Sequence, residues 1–128
     1  MPHSQPSPSL RRVLVVEDDE SLSTVLDELL KLKDYQVTCA SDGGSGYELA
    51  RMTKPRVIVT DLTMPRGSGH ELLDRLRQDA QLKDVPVIVI SAHASASNQA
   101  ECRRLGAAAF FAKPFRPEEL LEAVKSCF

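Results

Sequence analysis

The sequence predicts a doubly wound α/β fold, and three observations carry that prediction. Five short apolar runs, rich in Val, Ile, Ala and Phe, recur along the 128 residues. Each run is followed by a stretch with helical period or helix-end signals. Between them the runs end on acids, a serine and a lysine rather than on the small polar residues of ordinary turns. Strands that are apolar throughout are buried on both faces, and a helix after each strand gives a parallel sheet covered on both sides.

Arg12 to Val16 is the first strand and runs directly into Glu17-Asp18-Asp19-Glu20. Leu22, Val25, Leu26, Leu29 and Leu30 then recur at helical spacing, which predicts an amphipathic helix over about residues 21–33 with those five on its buried face. Tyr35 to Ala40 is a second strand, less apolar and so nearer a sheet edge. Ser41-Asp42-Gly43 marks a turn, and a short helix follows over about 44–52, weakened at Gly44 and Gly46 by roughly 1 kcal/mol each relative to Ala. Val57 to Asp61 is the third strand, bracketed by Pro55 and Pro65.

After the loop from Met64, Ser68 is placed to cap a helix carrying Leu72, Leu73 and Leu76. Val85 to Ser91 is the fourth and most apolar strand. Residues 93–105 read as a helix with a thin apolar face of Ala96, Ala100 and Leu105, closed by Gly106. Ala108 to Ala112 is the fifth strand. Pro117 opens the last helix, Glu118 and Glu119 suit its dipole, and Leu120, Leu121 and Val124 form its inner face. No repeat or internal linker divides the chain. Residues 1–9, rich in Pro and Ser, read as a disordered arm with Met1 as a native start, and residues 10–128 as one domain.

Composition excludes several function classes. Hydrophobic content of 42% and charged content of 27% are those of a soluble globular domain. A net charge of −2 argues against direct nucleic-acid binding. No apolar run approaches the ~18 residues that cross a membrane, and the first residues lack a secretory signal, so a cytoplasmic location is expected. Cys39, Cys102 and Cys127 are odd in number and widely spaced, which suits buried or incidental reduced thiols rather than zinc or redox work. His3, His70 and His93 have no metal-ligand spacing and read as exposed.

The chemistry collects at the strand ends. The first strand delivers Glu17 and Asp18, the third Asp61, the fourth Ser91 and the fifth Lys113. In a parallel sheet these ends share one edge. With strand order 2-1-3-4-5, the first and third strands are neighbours at the switch point, where such sheets bind ligands. Three converging carboxylates raise one another's pKa unless a cation neutralises them, and Mg²⁺ suits a site of a few carboxylates and a carbonyl. Lys113 would answer the remaining charge and Ser91 would offer a hydroxyl. That set suits phosphoryl transfer onto Asp61. Taken singly, Asp61 reads equally well as a turn former and Lys113 as a surface lysine, while Asp19 reads as the cap of the first helix. Their joint placement at strand ends favours the chemical reading.

Over about residues 10–127 the sequence resembles the receiver domains of two-component response regulators. The carrying motifs are Val-Leu-Val-Val-Glu17-Asp18-Asp19, Asp61-Leu-Thr-Met-Pro65-Arg-Gly-Ser-Gly69, Val-Ile-Ser91-Ala92 and Lys113-Pro114-Phe115. The resemblance implies a flavodoxin-like (βα)5 fold with a five-stranded parallel sheet of order 2-1-3-4-5. It implies that Asp61 accepts a phosphoryl group from a sensor histidine kinase or a histidine phosphotransfer protein. It implies Mg²⁺ held by Asp18 directly, by Glu17 through water, by Asp61 and by the Thr63 backbone carbonyl. Ser91 then stands as the hydroxyl that moves onto the phosphoryl group, Lys113 as the paired cation with a cis bond to Pro114, and Phe110 as the aromatic switch. Thr63 and His93 occupy positions that tune phosphoryl lifetime.

The implied output is a reshaped surface of the fourth helix, fifth strand and fifth helix that controls a protein partner. Phe110 has no hydroxyl to signal with. Ala108 and Ala109 replace acids found in the DNA-binding subfamily that dimerises through this face, so a monomer or weak dimer is expected. The chain is expected to assist only its own phosphorylation and dephosphorylation rather than to act as an enzyme. The alternative is a receiver module excised from a longer regulator or hybrid histidine kinase. An Asp-nucleophile phosphohydrolase would want Asp-x-Asp after the first strand, which Glu17-Asp18-Asp19 does not supply. A flavin-binding protein would want a phosphate loop where this chain has acids.

Overall fold

A computed structural model describes residues 11–63 and 69–128. Ten elements alternate along the chain: β1 (Arg12–Val16), α1 (Glu20–Leu32), β2 (Gln36–Ala40), α2 (Gly43–Thr53), β3 (Val57–Asp61), α3 (Gly69–Gln78), β4 (Val87–Ser91), α4 (Ala96–Arg104), β5 (Ala109–Ala112) and α5 (Pro117–Ser126). The five strands form one sheet in the order β2-β1-β3-β4-β5, and every neighbouring pair is parallel. This is the doubly wound architecture the strand pattern predicts, with the chain reversing direction at β1 and β3.

Two apolar layers flank the sheet because alternate residues of each strand face opposite sides. Val13 and Val15 of β1, with Val57, Val59, Ile88 and Ile90, pack on Leu26 and Leu30 of α1 and Leu120 and Val124 of α5. Leu14, Val16, Ile58, Val87 and Val89 pack on Ala50 of α2, Leu72, Leu73 and Leu76 of α3, and Cys102 of α4. Every residue of β3 and β4 is buried. Each such Val or Ile contributes about 1.5–3 kcal/mol of burial free energy, so the two central strands anchor the fold.

Local structure follows the sequence at most helix ends. Asp19 caps α1, its Oδ1 accepting from the Ser21 and Leu22 amides at 2.9 and 3.2 Å. Asp42, read from sequence as part of a turn, caps α2 by accepting from Ser45 N at 2.8 Å. Gly106 takes φ +89° after α4, as a residue closing a helix should. Ser68, predicted to cap α3, and the arm at 1–9 lie outside the described residues.

Four expectations change. Val25, placed on the inner face of α1, is 47% exposed, because only Leu26 and Leu30 are fully buried there and the neighbouring positions lie at the rim. The fourth helix starts at Ala96 rather than 93, since Ser95 caps it through Asn98 N at 3.1 Å. Its inner face is not Ala96, Ala100 and Leu105. Both alanines are exposed and Leu105 is half-buried, while Cys102 is buried against the core. His70 is half-buried with its Nε2 3.8 Å from Cys102 Sγ, not exposed, because the first turn of α3 lies beside α4. His93 is exposed as expected.

Candidate functional site

Parallel register brings the strand ends together. Val16 pairs with Thr60 across β1 and β3, so Glu17 and Asp61 lie one step beyond, side by side. Asp61 pairs with Ile90, which puts Ser91 one residue further along the next strand. Ser91 pairs with Ala112, and the Lys113 amide continues the ladder onto Ser91 O at 2.8 Å. The Lys113–Pro114 peptide is cis.

Lys113 lies between two acids. Its Nζ is 2.9 Å from Asp61 Oδ2 and 3.1 Å from Glu17 Oε1. The other Asp61 oxygen, Oδ1, accepts from the Leu62 amide at 2.6 Å and the Thr63 amide at 3.3 Å. Glu17 Oε2 accepts from Asp19 N at 3.1 Å. Glu17 and Asp61 are buried, at 2% and 6% exposure, whereas Asp18 is exposed at the mouth. Ligand atoms of Glu17, Asp18 and Asp61 all lie within 4.8 Å of one another.

The charges of this cluster do not balance. Burial raises the Glu17 carboxyl from 4.5 to about 7; the Asp19 amide opposes that rise, the Asp61 charge adds to it, and Lys113 opposes it. Burial would lower the Lys113 ammonium, but hydrogen bonds and charge from Asp61 and Glu17 outweigh it and the group is raised overall. Three carboxylates thus face one ammonium, which satisfies two of them. A divalent cation fits this donor set: hard oxygen ligands, one of them open to solvent, with excess negative charge. Glu17, Asp18 and Asp61 are the residues that would hold it.

Backbone packing fixes Asp61. A Cβ at Gly69 would stand 2.4 Å from the carbonyl oxygen of Asp61, so only glycine lets α3 begin against the end of β3. The Gly69 amide donates to Leu62 O at 2.8 Å. On the same face, a Cβ at Gly46 would meet Val16 at 2.9 Å, so glycine there lets α2 press on the strand that delivers Glu17.

The structure therefore brings Glu17, Asp18, Asp61 and Lys113 into one cluster, with Ser91 on the adjoining strand. Ser91 is fully buried, and its hydroxyl oxygen accepts from the His93 amide at 2.9 Å. Phe110 lies on β5, half-buried against the core layer that holds α3 and α4. Thr63 is exposed, and its amide donates to Asp61 Oδ1 at 3.3 Å. Sequence reasoning missed Arg77. Its guanidinium donates to four backbone carbonyls, those of Lys83, Val85, Leu105 and Gly106, at 2.7–3.2 Å. No local pattern signals such a residue, because its partners lie 6 to 29 positions away.

The chain belongs to the response regulator receiver domain family, whose model matches residues 13–125. It is 31% identical over 117 residues to the protein PilH of Pseudomonas aeruginosa, a match covering 91% of this chain and 97% of that one. Its fold superposes on the chemotaxis protein CheY4 of Vibrio cholerae with a TM-score of 0.87 at 28% identity, covering 93% and 99% of the two chains. The receiver domain of sensor histidine kinase PA1611 from P. aeruginosa, solved with a magnesium ion coordinated in its active-site cleft, gives 0.83 at 27% identity over 91% and 95%. Other relatives are longer. The chain is 39% identical over 112 residues to hybrid signal transduction histidine kinase D of Dictyostelium discoideum, a match that covers 88% of this chain but 7% of the kinase. It spans 44–54% of several transcriptional regulators. No described helix is long and apolar enough to cross a membrane.

Proposed function

We propose that this receiver domain accepts a phosphoryl group on Asp61 and signals by a change at the α4–β5–α5 face. The donor is a phosphohistidine on a sensor histidine kinase or a phosphotransfer protein. A carboxylate oxygen of Asp61 attacks the phosphorus, the P–N bond breaks, and the imidazole leaves with the electron pair and takes a proton. The product is an aspartyl phosphate, which water later cleaves. The observation that carries this reading is Asp61 itself: buried, held by Lys113 at 2.9 Å, and facing two further acids.

The chain's own residues have separable tasks. The Leu62 and Thr63 amides orient the Asp61 carboxylate. Lys113 neutralises the incoming charge and keeps Glu17 from repelling it. Mg²⁺, held by Glu17, Asp18, Asp61 and the Thr63 carbonyl, would supply further positive charge for the transferring oxygens. The magnesium in the receiver of PA1611 supports that choice of ion. Ser91 donates its hydroxyl to the phosphoryl group, and Phe110 turns inward into the space this opens. The protein assists only its own phosphorylation and dephosphorylation, works in the cytoplasm as a monomer or weak dimer, and controls a protein partner rather than nucleic acid or membrane.

The test is incubation with Mg²⁺ and a small acyl phosphate, followed by intact-mass measurement. Wild type gains one phosphoryl group; Asp61→Ala and chelated protein gain none. No gain in wild type, or an equal gain in Asp61→Ala, overturns the assignment. A second reading is that the chain is one module of a longer regulator or hybrid kinase. The partial coverage of the longer relatives favours it. The mass of the native polypeptide, taken from cells with an antibody against this domain, separates the two.

A further inference from the structure

Helix α4 is attached in an unusual way. Along its length one described side chain, Cys102, is buried. The helix is otherwise polar, and Ala96 and Ala100 face solvent. It is held at its two ends instead. At the far end, Leu105 caps the helix and Gly106 turns out of it at φ +89°. Both carbonyls accept from Arg77 of α3, at 3.2 Å through Nε and 3.0 Å through Nη2. Nη1 of the same guanidinium donates to Lys83 O at 2.7 Å and Val85 O at 3.1 Å, on the segment leading into β4. One rigid fork therefore bolts the end of α4 to α3 and to the entry of β4.

The near end is tied to the site. The Ser91 hydroxyl oxygen accepts from His93 N at 2.9 Å, and His93 O accepts from the Asn98 side-chain amide at 2.8 Å. Asn98 lies in the first turn of α4. A Ser91 hydroxyl that turned away would leave the His93 amide without this acceptor, and the carbonyl of the same residue is the one that holds Asn98.

We propose that α4 works as a lever, with Arg77 as its fulcrum and the Ser91–His93–Asn98 chain as its input. Arg77 and Asn98 are positioning residues: neither touches Asp61, and each fixes one end of the helix. A helix with little buried surface between two hydrogen-bonded ends tilts at small cost, whereas a helix with a full apolar face resists. The proposal rests on Ser91 responding to a phosphoryl group on Asp61, as above.

The test is amide hydrogen exchange on the folded chain, with and without acyl phosphate and Mg²⁺, with phosphoryl uptake followed by intact mass. In wild type, phosphorylation raises exchange over residues 93–99 and leaves 103–108 protected. Asn98→Ala takes up phosphoryl like wild type, but its 93–99 segment exchanges ~10-fold faster beforehand and responds little afterwards. Arg77→Lys keeps the charge and stem but loses the fork. It raises exchange over 103–108 by ~10-fold in both states, with β3 unchanged. Equal loosening of 93–99 and 103–108 in phosphorylated wild type overturns the fulcrum, and a normal response in Asn98→Ala overturns the input. If Arg77→Lys fails to fold, Asn98→Ala still decides the input and phosphorylated wild type the fulcrum. Absent phosphoryl uptake in wild type counts against the acceptor assignment. Unphosphorylated Asn98→Ala and Arg77→Lys then decide the lever alone: loosening confined to 93–99 and to 103–108 respectively supports it, and any other pattern overturns it.

Discussion

Helices α3 and α4 follow adjacent strands, are 10 and 9 residues long, and cover the same face of the sheet. They are built differently. Helix α3 buries Gly69, Leu72, Leu73 and Leu76, while α4 buries Cys102 among its described residues. Helix α3 starts against the carbonyl of Asp61 with no room for a side chain, and the segment after it is tied to α2 by the Tyr47 hydroxyl on Asp79 at 2.7 Å. Helix α4 hangs between polar contacts at its ends. The contrast is between two ways of seating a helix: α3 is wedged against the Asp61 backbone and the core, while α4 is held mainly at its ends.

The largest expected effect tests the rigid member. Leu73→Ala removes a fully buried side chain and should cost about 2–5 kcal/mol of unfolding free energy, measured by urea titration. A loss under about 1 kcal/mol would erase the contrast. Next comes the acid cluster at the strand ends. Ionising Glu17 in the fold is unfavourable, since its pKa there is raised from 4.5 to about 7. Its contribution to stability is therefore present below pH 4.5 and lost as pH rises through about 7. In metal-free protein the loss is at most ~3 kcal/mol. Glu17→Gln should flatten that fall and be the more stable protein at pH 8, while binding Mg²⁺ more weakly by titration calorimetry. A Glu17→Gln protein less stable than wild type at pH 8 would show that Lys113 already compensates the charge.

Cys102→Ala tests the loose member. It should cost about 1 kcal/mol, well below the α3 substitution, because a thiol is a small apolar group. A cost matching Leu73→Ala would mean that α4 is as firmly seated as α3. The smallest effect belongs to the tie beyond α3. The Tyr47 hydroxyl lowers the Asp79 carboxyl below its ordinary 3.8, the Gln81 amide adding to that. The stability this gives is present above that value and lost as pH falls below it. The melting-temperature difference between wild type and Tyr47→Phe should thus be larger at pH 6 than at pH 3. A difference that grows on acidification would remove Asp79 from the account.

The fold was legible because its strands are apolar on both faces and interrupted by helix signals, so period and length alone separate the elements. Strand-end acids and Lys113 were legible because parallel topology converts positions far apart in sequence into neighbours along one edge. Helix α4 was misread for a physical reason. Alanine counts as apolar in a pattern but carries too little surface to dictate which face turns inward, and Cys102 took that role. Arg77 was illegible because its partners are backbone carbonyls, which every residue owns. The His70–Cys102 contact was hidden likewise, since each residue alone is unremarkable and only the proximity of α3 and α4 pairs them.

The space at Gly69 has a consequence of its own. A hydrogen atom is all that separates the α3 backbone from the Asp61 carbonyl, so Asp61 and the helix form a single mechanical joint. Any side chain at position 69 must move one of them, by either lifting α3 off the sheet or turning the Asp61 peptide. The second movement shifts the carboxylate relative to Lys113. Position 69 is thus a place where an uncharged methyl group, outside the cluster of acids, presses directly on the backbone that carries Asp61.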